Sequence, residues 1–127
     1  MPRNLSLRFL PGTFVVAKLA PGAPVPAGLT GAFVSVTRTA DELSIVCDAS
    51  CDVPAAYKDA GWRCMMLDGV WDFGETGVLA SIAVPLADAG IGILAIGTFN
   101  TDYVLVKEEN VERAVAVLQA AGHRLIV

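Results

Sequence analysis

The chain is poor in charge and in the residue types that most often carry catalysis. Only 17% of its 127 residues are charged, with nine Lys and Arg against 13 Asp and Glu, and it has one histidine. Nucleic-acid backbones are bound by clustered basic side chains, so this balance argues against a nucleic-acid partner. No apolar run approaches the ~20 residues that span a bilayer, and residues 1–14 lack the apolar core of a signal peptide. We therefore expect a cytoplasmic protein with no membrane partner.

Cysteine and histidine are too few to predict a metal site or a catalytic pair. The cysteines are Cys47, Cys51 and Cys64, and an odd number in a chain without an export signal predicts reduced thiols. Cys47 and Cys51 are four residues apart, but no second pair of Cys or His completes a tetrahedral metal site. The single histidine, His123, has no evident base–nucleophile partner. We expect packing roles for these side chains, no metal, no cofactor and no enzymatic activity.

The tripeptide Asp72-Phe73-Gly74 matches the metal-holding motif of protein kinases. A kinase also needs a glycine-rich phosphate loop, a strand lysine and a His-Arg-Asp catalytic loop, and the sequence contains none of them. The match is therefore due to chance. At 54% apolar residues the chain has ample material for a core, and its length fits one compact domain or two very small ones.

The second half of the sequence predicts strands and helices in a recognisable order. Short apolar segments predict strands at residues 62–67, 92–97, 103–107 and 123–127. Leu79, Ile82 and Leu86 recur at helical spacing before Gly90, and Pro85 inside this run predicts a kink. Another helix, with acidic first turns and an apolar face, is predicted from residue 108 up to Gly122. The order is β-α-β-β-α-β, which is the ferredoxin-like unit.

The first half repeats this plan in shortened form. Strands are predicted at 13–19, 32–38 and 42–47, and the segment 21–31 is too short and too rich in proline for a full helix. Aligning residues 37–45 with 98–106 pairs Thr37 with Thr98 and Asp41 with Asp102, a shift of 61 residues. This predicts a degenerate duplication, with chance similarity between two hairpins as the alternative. The predicted fold class is α+β, with tandem ferredoxin-like units at 1–60 and 61–127, an antiparallel sheet, helices on one face, and a degenerate first unit.

Three stretches of the sequence resemble a known family. SVTRTADELSIVC (35–47), DFGETGVLASIAVPLADAGI (72–91) and AIGTFNTDYVLVK (95–107) resemble the ACT-domain family, in particular the small paired-ACT proteins related to the CASTOR-type arginine sensors. The resemblance implies a regulatory module with the ferredoxin-like fold, and many such modules bind amino acids where two units pack together. The chain departs from the family in its truncated first unit and in Gly97, where relatives often have serine. The resemblance leaves the identity of the ligand open.

The residues themselves predict a binding site that fits this resemblance. Backbone amides at the start of the first helix have no intrahelical partner and form an anion site without any basic side chain. The loop 98–102 supplies hydroxyls and one carboxylate, which suits an ammonium group. We predict that a free amino acid or a similar small molecule binds in a pocket between the two units. The residues predicted to line it are Asp72, Phe73, Thr76, Gly77, Val78, Leu79, Thr98, Phe99, Asn100, Thr101 and Asp102.

Each of these residues also has a purely structural interpretation. Asp72 or Thr76 is a suitable cap for the helix, Trp71 and Phe73 are suitable core or interface residues, and Asp102 is a suitable hairpin residue. Three classes of protein therefore remain: a non-catalytic regulatory protein that binds a ligand, a structural or dimerisation module without a ligand, and a small enzyme on the same fold. The residues favour the first. Since ACT relatives commonly pair and this chain is apolar, we also expect a homo-oligomer, most simply a homodimer.

Overall fold

The computed structural model describes residues 4–71 and 76–126. Its elements are, in chain order, β1 (Ser6–Phe9), β2 (Phe14–Leu19), β3 (Ser35–Arg38), β4 (Leu43–Asp48), β5 (Tyr57–Leu67), α1 (Val78–Asp88), β6 (Ile93–Gly97), β7 (Asp102–Lys107), a 3-10 turn (Glu108–Asn110), α2 (Val111–Ala120) and β8 (Arg124–Ile126). Spatial contacts group Pro11–Trp62 into one compact unit, here called the small unit. The rest of the described chain forms the large unit. We expected a division near residue 60, and the grouping adds the N-terminal segment up to Leu10 to the second half.

The small unit is a sheet in the order β3-β4-β2-β5, in which every pair is antiparallel. Its last strand is the first part of β5, up to Trp62. Phe14 pairs with Trp62 and Val16 with Asp59, so β5 contains one more residue than β2 over this stretch. Gly61 has a φ of 82°, the left-handed conformation that glycine adopts at such a bulge. The glycine therefore lets β5 keep its pairing with β2 on both sides of the bulge.

Loops cover the core of the small unit where a complete ferredoxin-like unit has helices. Residues 11–62, all of them described, contain strands and turns but no helix, which confirms that the first unit is degenerate. The guanidinium of Arg38 donates hydrogen bonds to the carbonyl oxygens of Pro21 and Ala23, the latter at 2.8 Å, which fastens the proline-rich loop to β3. The buried residues beneath the loops are Val15, Ala17, Leu19, Leu43, Ile45, Cys47 and Val53.

The two hairpins share a turn geometry, but at a different register from the sequence alignment. The Thr39 amide donates to the Glu42 carbonyl at 2.9 Å, and the Thr98 amide donates to the Thr101 carbonyl at 2.9 Å. These bonds pair Thr39 with Thr98 and Glu42 with Thr101, a shift of 59 residues. The alignment of Thr37 with Thr98, at a shift of 61, is therefore wrong by two residues. It matched side-chain types, whereas the hydrogen bonds of the turn set the register.

The sheet of the large unit contains a strand that the sequence did not predict. β7 pairs with β6 and β5, and β1 lies between β5 and β8, antiparallel to β5 and parallel to β8. The signal for β1 is the alternation of apolar Leu5, Leu7 and Phe9 with polar Ser6 and Arg8. The predicted order β-α-β-β-α-β is present in β5-α1-β6-β7-α2-β8, and the α+β class is confirmed. The N-terminal strand widens this unit by inserting beside its closing strand.

Both helices of the large unit bury one face in a common core. Val78, Ile82 and Leu86 of α1 recur every four residues, and Ala114 and Leu118 of α2 have the same spacing. The buried residues of this core are Leu5, Leu7, Met65, Leu67, Val78, Ile82, Leu86, Ile91, Val104, Val106, Ala114 and Leu118. Among residues 4–71 and 76–126, neither helix is long and apolar enough to cross a membrane.

Pro85 lies inside α1, and His123 replaces the hydrogen bond that it removes. Proline has no amide proton, so the Ser81 carbonyl, four residues earlier, loses its helical donor. The Leu5 amide donates to His123 Nδ1 at 3.1 Å, so the ring proton is on Nε2, which lies 2.8 Å from the Ser81 carbonyl oxygen. His123 is only 6% exposed. The packing role predicted for this histidine is confirmed, together with a specific hydrogen-bonding role.

Candidate functional site

The N-terminal end of α1 begins at a glycine. The N-cap residue is Gly77, with φ 74° and ψ 2°, and as glycine it has no side chain of its own with which to cap the helix. The first amides of any α-helix have no acceptor within the helix, so those of Val78, Leu79 and Ala80 point out of this end. They carry the partial positive charge of the helix dipole. This end of the helix can accept a carboxylate without the help of a basic side chain.

The side chains around this helix end divide between the core and the surface. Val78 is 6% exposed and packs in the core of the large unit, so only its amide can contact a ligand. Leu79 is 37% exposed, and Thr76 and Gly77 are also exposed. Asp72 and Phe73, the two other residues predicted here, lie outside the described residues.

Hydrogen bonds close the loop between β6 and β7. The Thr98 hydroxyl donates to the Thr101 carbonyl at 3.0 Å, and the Thr101 amide lies 3.4 Å from the same hydroxyl oxygen. The Thr101 side chain is buried, and its hydroxyl donates to the Leu67 carbonyl at 2.7 Å. Both hydroxyls that we predicted as ligand contacts therefore hold the loop in shape. Sequence reasoning missed this role because the Leu67 carbonyl is 34 residues away in the chain.

Thr101→Val tests this anchoring role. Valine matches threonine in shape but leaves the buried Leu67 carbonyl without its donor, which costs about 1–3 kcal/mol. We expect the free energy of unfolding to fall by that amount in chemical denaturation. Thr98→Val, at an exposed position, is the control and should lower it less. If both substitutions lower the free energy of unfolding equally, the Thr101–Leu67 hydrogen bond stabilises the protein no more than the exposed Thr98 hydroxyl does.

Trp71 connects the two halves of the predicted site. Its amide donates to the Asn100 carbonyl at 2.7 Å, and its indole Nε1 lies 3.3 Å from the Asp68 carbonyl oxygen. The ring packs against the core of the large unit, which confirms the core interpretation of this residue. This backbone bond fixes Trp71 beside the 98–102 loop.

Asp102 is the one carboxylate among the described residues of the predicted site. It is partly buried at the start of β7, and its Oδ1 would lie 3.2 Å from a Cβ atom built on Gly97. A side chain at position 97 would therefore crowd the carboxylate, which gives a physical reason for the glycine in this chain. Phe99 is 80% exposed at the tip of the same loop, and Asn100 is also exposed.

Each of these groups is of a type that suits one part of a small zwitterion. Outward-pointing amides suit a carboxylate, and Asp102 suits an ammonium group. The exposed Phe99 ring offers an apolar surface to a ligand side chain. In the described part of the chain, no group of three or more His, Cys, Asp or Glu side chains is arranged to hold a metal ion.

The fold and this site define an α+β protein built on ferredoxin-like units. Residues 58–120 match the model of the ACT domain, and residues 12–54 match a second model, described as an N-terminal domain. The chain belongs to the ACT-domain family.

A sequence relative and a solved structure support the assignment of the chain to this family. The human protein named "Cytosolic arginine sensor for mTORC1 subunit 1" is 32% identical over 108 residues, which cover 79% of this chain and 32% of the sensor. The chain thus spans about a third of the length of the curated relatives it matches. The crystal structure of protein Atu0741 from Agobacterium tumefaciens is 38% identical, has a TM-score of 0.91, and is matched over 98% of this chain and 93% of that one.

A more distant structure has the same fold. The aspartate kinase from Clostridium acetobutylicum is matched over 91% of this chain and 34% of its own, with a TM-score of 0.64 and 14% identity. At that identity the likeness concerns the fold alone.

Proposed function

We propose that this chain is a non-catalytic regulatory protein that binds a free amino acid at the N-terminal end of α1. One observation carries the proposal. The glycine-led helix end and the loop bearing Asp102 belong to the same unit, and the Trp71 amide, six residues before Gly77, donates to the Asn100 carbonyl, two residues before Asp102. In the proposed complex the ligand carboxylate binds the amides of residues 77–79, and its ammonium group lies near Asp102.

The contacts proposed for the ligand are the same for every amino acid. A carboxylate on amides and an ammonium group on a carboxylate use only the backbone groups that all amino acids share. The name of the human relative makes arginine one candidate, but this chain spans 32% of that sensor. The side-chain preference therefore needs a screen of all the common amino acids, to which Phe99 and Leu79 would present apolar surface.

A regulatory role without catalysis fits the titratable groups in the large unit. Its histidine is occupied on both ring nitrogens by backbone groups, and its cysteine, Cys64, is fully buried. Neither side chain is positioned to serve as an accessible base or nucleophile.

A structural or dimerisation module is the second candidate. Large apolar side chains are exposed at Tyr57, Val70 and Phe99, at 70%, 76% and 80% of their surface, and such residues often lie in interfaces between protein chains. We expect this module to form a homodimer, as the sequence also predicts. Light scattering at micromolar concentration that returns the monomer mass of 13.2 kDa would argue against it.

Thermal shift across the common amino acids, followed by Asp102→Ala, tests the binding proposal. A ligand that binds the folded state raises the unfolding temperature, because it stabilises that state by RT ln(1 + [L]/Kd). Removal of one partner of a charged hydrogen bond costs about 1.5–3 kcal/mol. We therefore expect Asp102→Ala to raise the Kd in calorimetric titration by roughly 10- to 150-fold, with the unliganded melting temperature little changed.

Asp41→Ala is the matched control for Asp102→Ala. Asp41 is an exposed aspartate in the β3–β4 hairpin of the small unit, so its loss should leave the Kd unchanged. An Asp102→Ala variant that binds as tightly as the unmodified chain would refute the role of this carboxylate. If no amino acid binds at millimolar concentration, the structural module becomes the better explanation.

A further inference from the structure

The small unit contains a thiol in surroundings that favour its ionised form. Cys51 is half-buried in the turn after β4, and its sulfur lies 3.5 Å from the Thr30 hydroxyl and accepts the Thr30 amide proton at 3.3 Å. These hydrogen bonds, the hydroxyl first, lower the pKa of the Cys51 thiol, although desolvation and then the nearby Asp48 carboxylate act in the opposite direction. The protonated thiol can instead donate to the Thr30 carbonyl oxygen, 3.4 Å from the sulfur. A thiolate is the reactive form of cysteine toward oxidants and electrophiles.

The second thiol lies next to the first and has the opposite character. Cys47 is fully buried near the end of β4, and Cys51 packs against the apolar cluster that contains it. Burial, followed by the neighbouring Cys51 thiol, raises the pKa of the Cys47 thiol to about 11. Cys47 is therefore protonated at neutral pH. The pair combines a more accessible sulfur with a buried thiol four residues earlier in the chain.

The third cysteine provides an internal comparison. Cys64 is fully buried in β5, in the part of that strand that belongs to the large unit. Burial raises the pKa of the Cys64 thiol to about 12. It is therefore a thiol of the same chain that should stay unreactive under conditions in which Cys51 reacts.

We propose that Cys51 and Cys47 form a peroxide-reactive dithiol that closes to an intramolecular disulfide. The Cys51 thiolate attacks one oxygen of a peroxide, the O–O bond breaks, and Cys51 becomes a sulfenic acid while the departing oxygen takes up a proton. With hydrogen peroxide this releases one molecule of water. The Cys47 sulfur then attacks the sulfenic sulfur, and the S–S bond forms as the hydroxyl leaves with the Cys47 proton as a second water. The peroxide is reduced by two electrons, which the two thiols supply.

The local backbone allows this closure. The Cys51 amide donates to the Asp48 carbonyl at 3.0 Å, so the chain turns back directly after β4 and places residue 51 over the end of that strand. Ala49 and Ser50 within the turn are exposed, so a shift of the turn moves no packed side chain there, but it must displace the bonds from the Ala49 amide to the Thr13 carbonyl and from Ser50 to the Asp48 carboxylate. Closure requires the two sulfurs to approach to about 2.0 Å. When the disulfide forms, the Thr30 amide and hydroxyl lose the Cys51 thiolate as their partner. The oxidation state of the pair is thereby linked to the loop that contains Thr30 and covers the core.

Peptide mass spectrometry after treatment with hydrogen peroxide tests the proposal on the full chain. Trypsin cleaves after Lys and Arg, so Cys47 and Cys51 fall together in peptide 39–58, and Cys64 falls in peptide 64–107. We expect peptide 39–58 to become lighter by about 2 Da, the mass of the two hydrogens lost on disulfide formation. It should take up no iodoacetamide until dithiothreitol is added, whereas Cys64 should remain available for labelling after denaturation.

Three serine variants separate the roles of the thiols. In Cys51→Ser the remaining Cys47 should stay reduced, and in Cys47→Ser the sulfenic acid on Cys51 should be trapped by dimedone. Cys64→Ser should form the disulfide as the unmodified chain does. The proposal is overturned if peptide 39–58 still takes up two labels after peroxide, if Cys47 oxidises equally fast in Cys51→Ser, or if Cys51 crosslinks only to a second chain.

Thr30→Val gives a readout that does not depend on disulfide closure. Removal of the hydroxyl should shift the pH profile of Cys51 alkylation by iodoacetamide upward, because the thiolate loses a donor. In the unmodified chain at neutral pH, Cys51 should react about tenfold faster than Cys64 or more. An unshifted pH profile in Thr30→Val, or equal rates for Cys51 and Cys64, would contradict the environment assigned to Cys51.

Discussion

We expect Gly77→Val to abolish binding of the amino acid identified by the screen, with the Kd rising by about 100-fold or more, equivalent to about 2.7 kcal/mol. Gly77 has a φ of 74°, in the left-handed region that a β-branched residue adopts only at a cost of about 1–3 kcal/mol. A valine there either moves the backbone out of this conformation or covers the amides of α1 with its side chain. Either change removes the proposed carboxylate site. Isothermal titration calorimetry at saturating amino-acid concentration measures the loss.

Gly90→Val is the matched control, because the other end of the same helix offers nearly the same geometry. Gly90 has a φ of 73°, and a Cβ atom built on either glycine meets nothing within 4 Å. Both substitutions should therefore lower the free energy of unfolding by similar amounts, without a steric clash in either case. Only Gly77→Val should lose binding. A parallel loss in Gly90→Val would mean that reduced stability, rather than a blocked helix end, accounts for the effect.

We expect His123→Leu to lower the free energy of unfolding by about 2–5 kcal/mol, the largest stability effect among our predictions. Leucine fills the buried space but leaves two backbone groups without partners, the Leu5 amide and the Ser81 carbonyl. Each such group costs about 1–3 kcal/mol when it stays buried. Urea denaturation followed by circular dichroism measures the change.

A second substitution shows whether the Ser81 carbonyl is part of that cost. Pro85→Ala restores an amide at position 85, which can donate to the Ser81 carbonyl in the usual helical way. Pro85→Ala should raise the free energy of unfolding by roughly 1–2 kcal/mol more in the His123→Leu background than in the unmodified chain. Strict additivity of the two substitutions would mean that the histidine does not substitute for the missing helical bond.

The hydrophobic pattern predicted most elements of the large unit. Predicted strands at 92–97 and 103–107 correspond to β6 (Ile93–Gly97) and β7 (Asp102–Lys107), and the helix predicted to continue through Pro85 is α1. Their signals are local, since a buried strand or an amphipathic helix is visible within about ten residues. β1 was missed because its alternating segment has only four residues and is completed by partners near the other end of the chain.

Hydrogen bonds between distant residues were beyond the reach of the sequence. Leu5 and His123 are 118 residues apart, and Thr101 and Leu67 are 34 apart, yet these pairs fix the end of the sheet and the loop of the proposed site. The alignment of the two hairpins failed for a related reason. Threonine and aspartate recur in both, but the hydrogen bonds that close each turn decide which residues are equivalent.

The sequence alone determined the fold class, because apolar periodicity, proline and glycine act within short windows. Three of its stretches carried the family resemblance. It also predicted an anion site at the start of α1, since unpaired amides are a property of every helix end. Only the tertiary structure decided which candidate side chains remain available to a ligand. Thr98 and Thr101 use their hydroxyls in the loop, Val78 packs in the core, and Gly97 leaves room for Asp102. Burial and hydrogen-bond partners depend on residues far apart in the chain, so no short stretch of sequence specifies them.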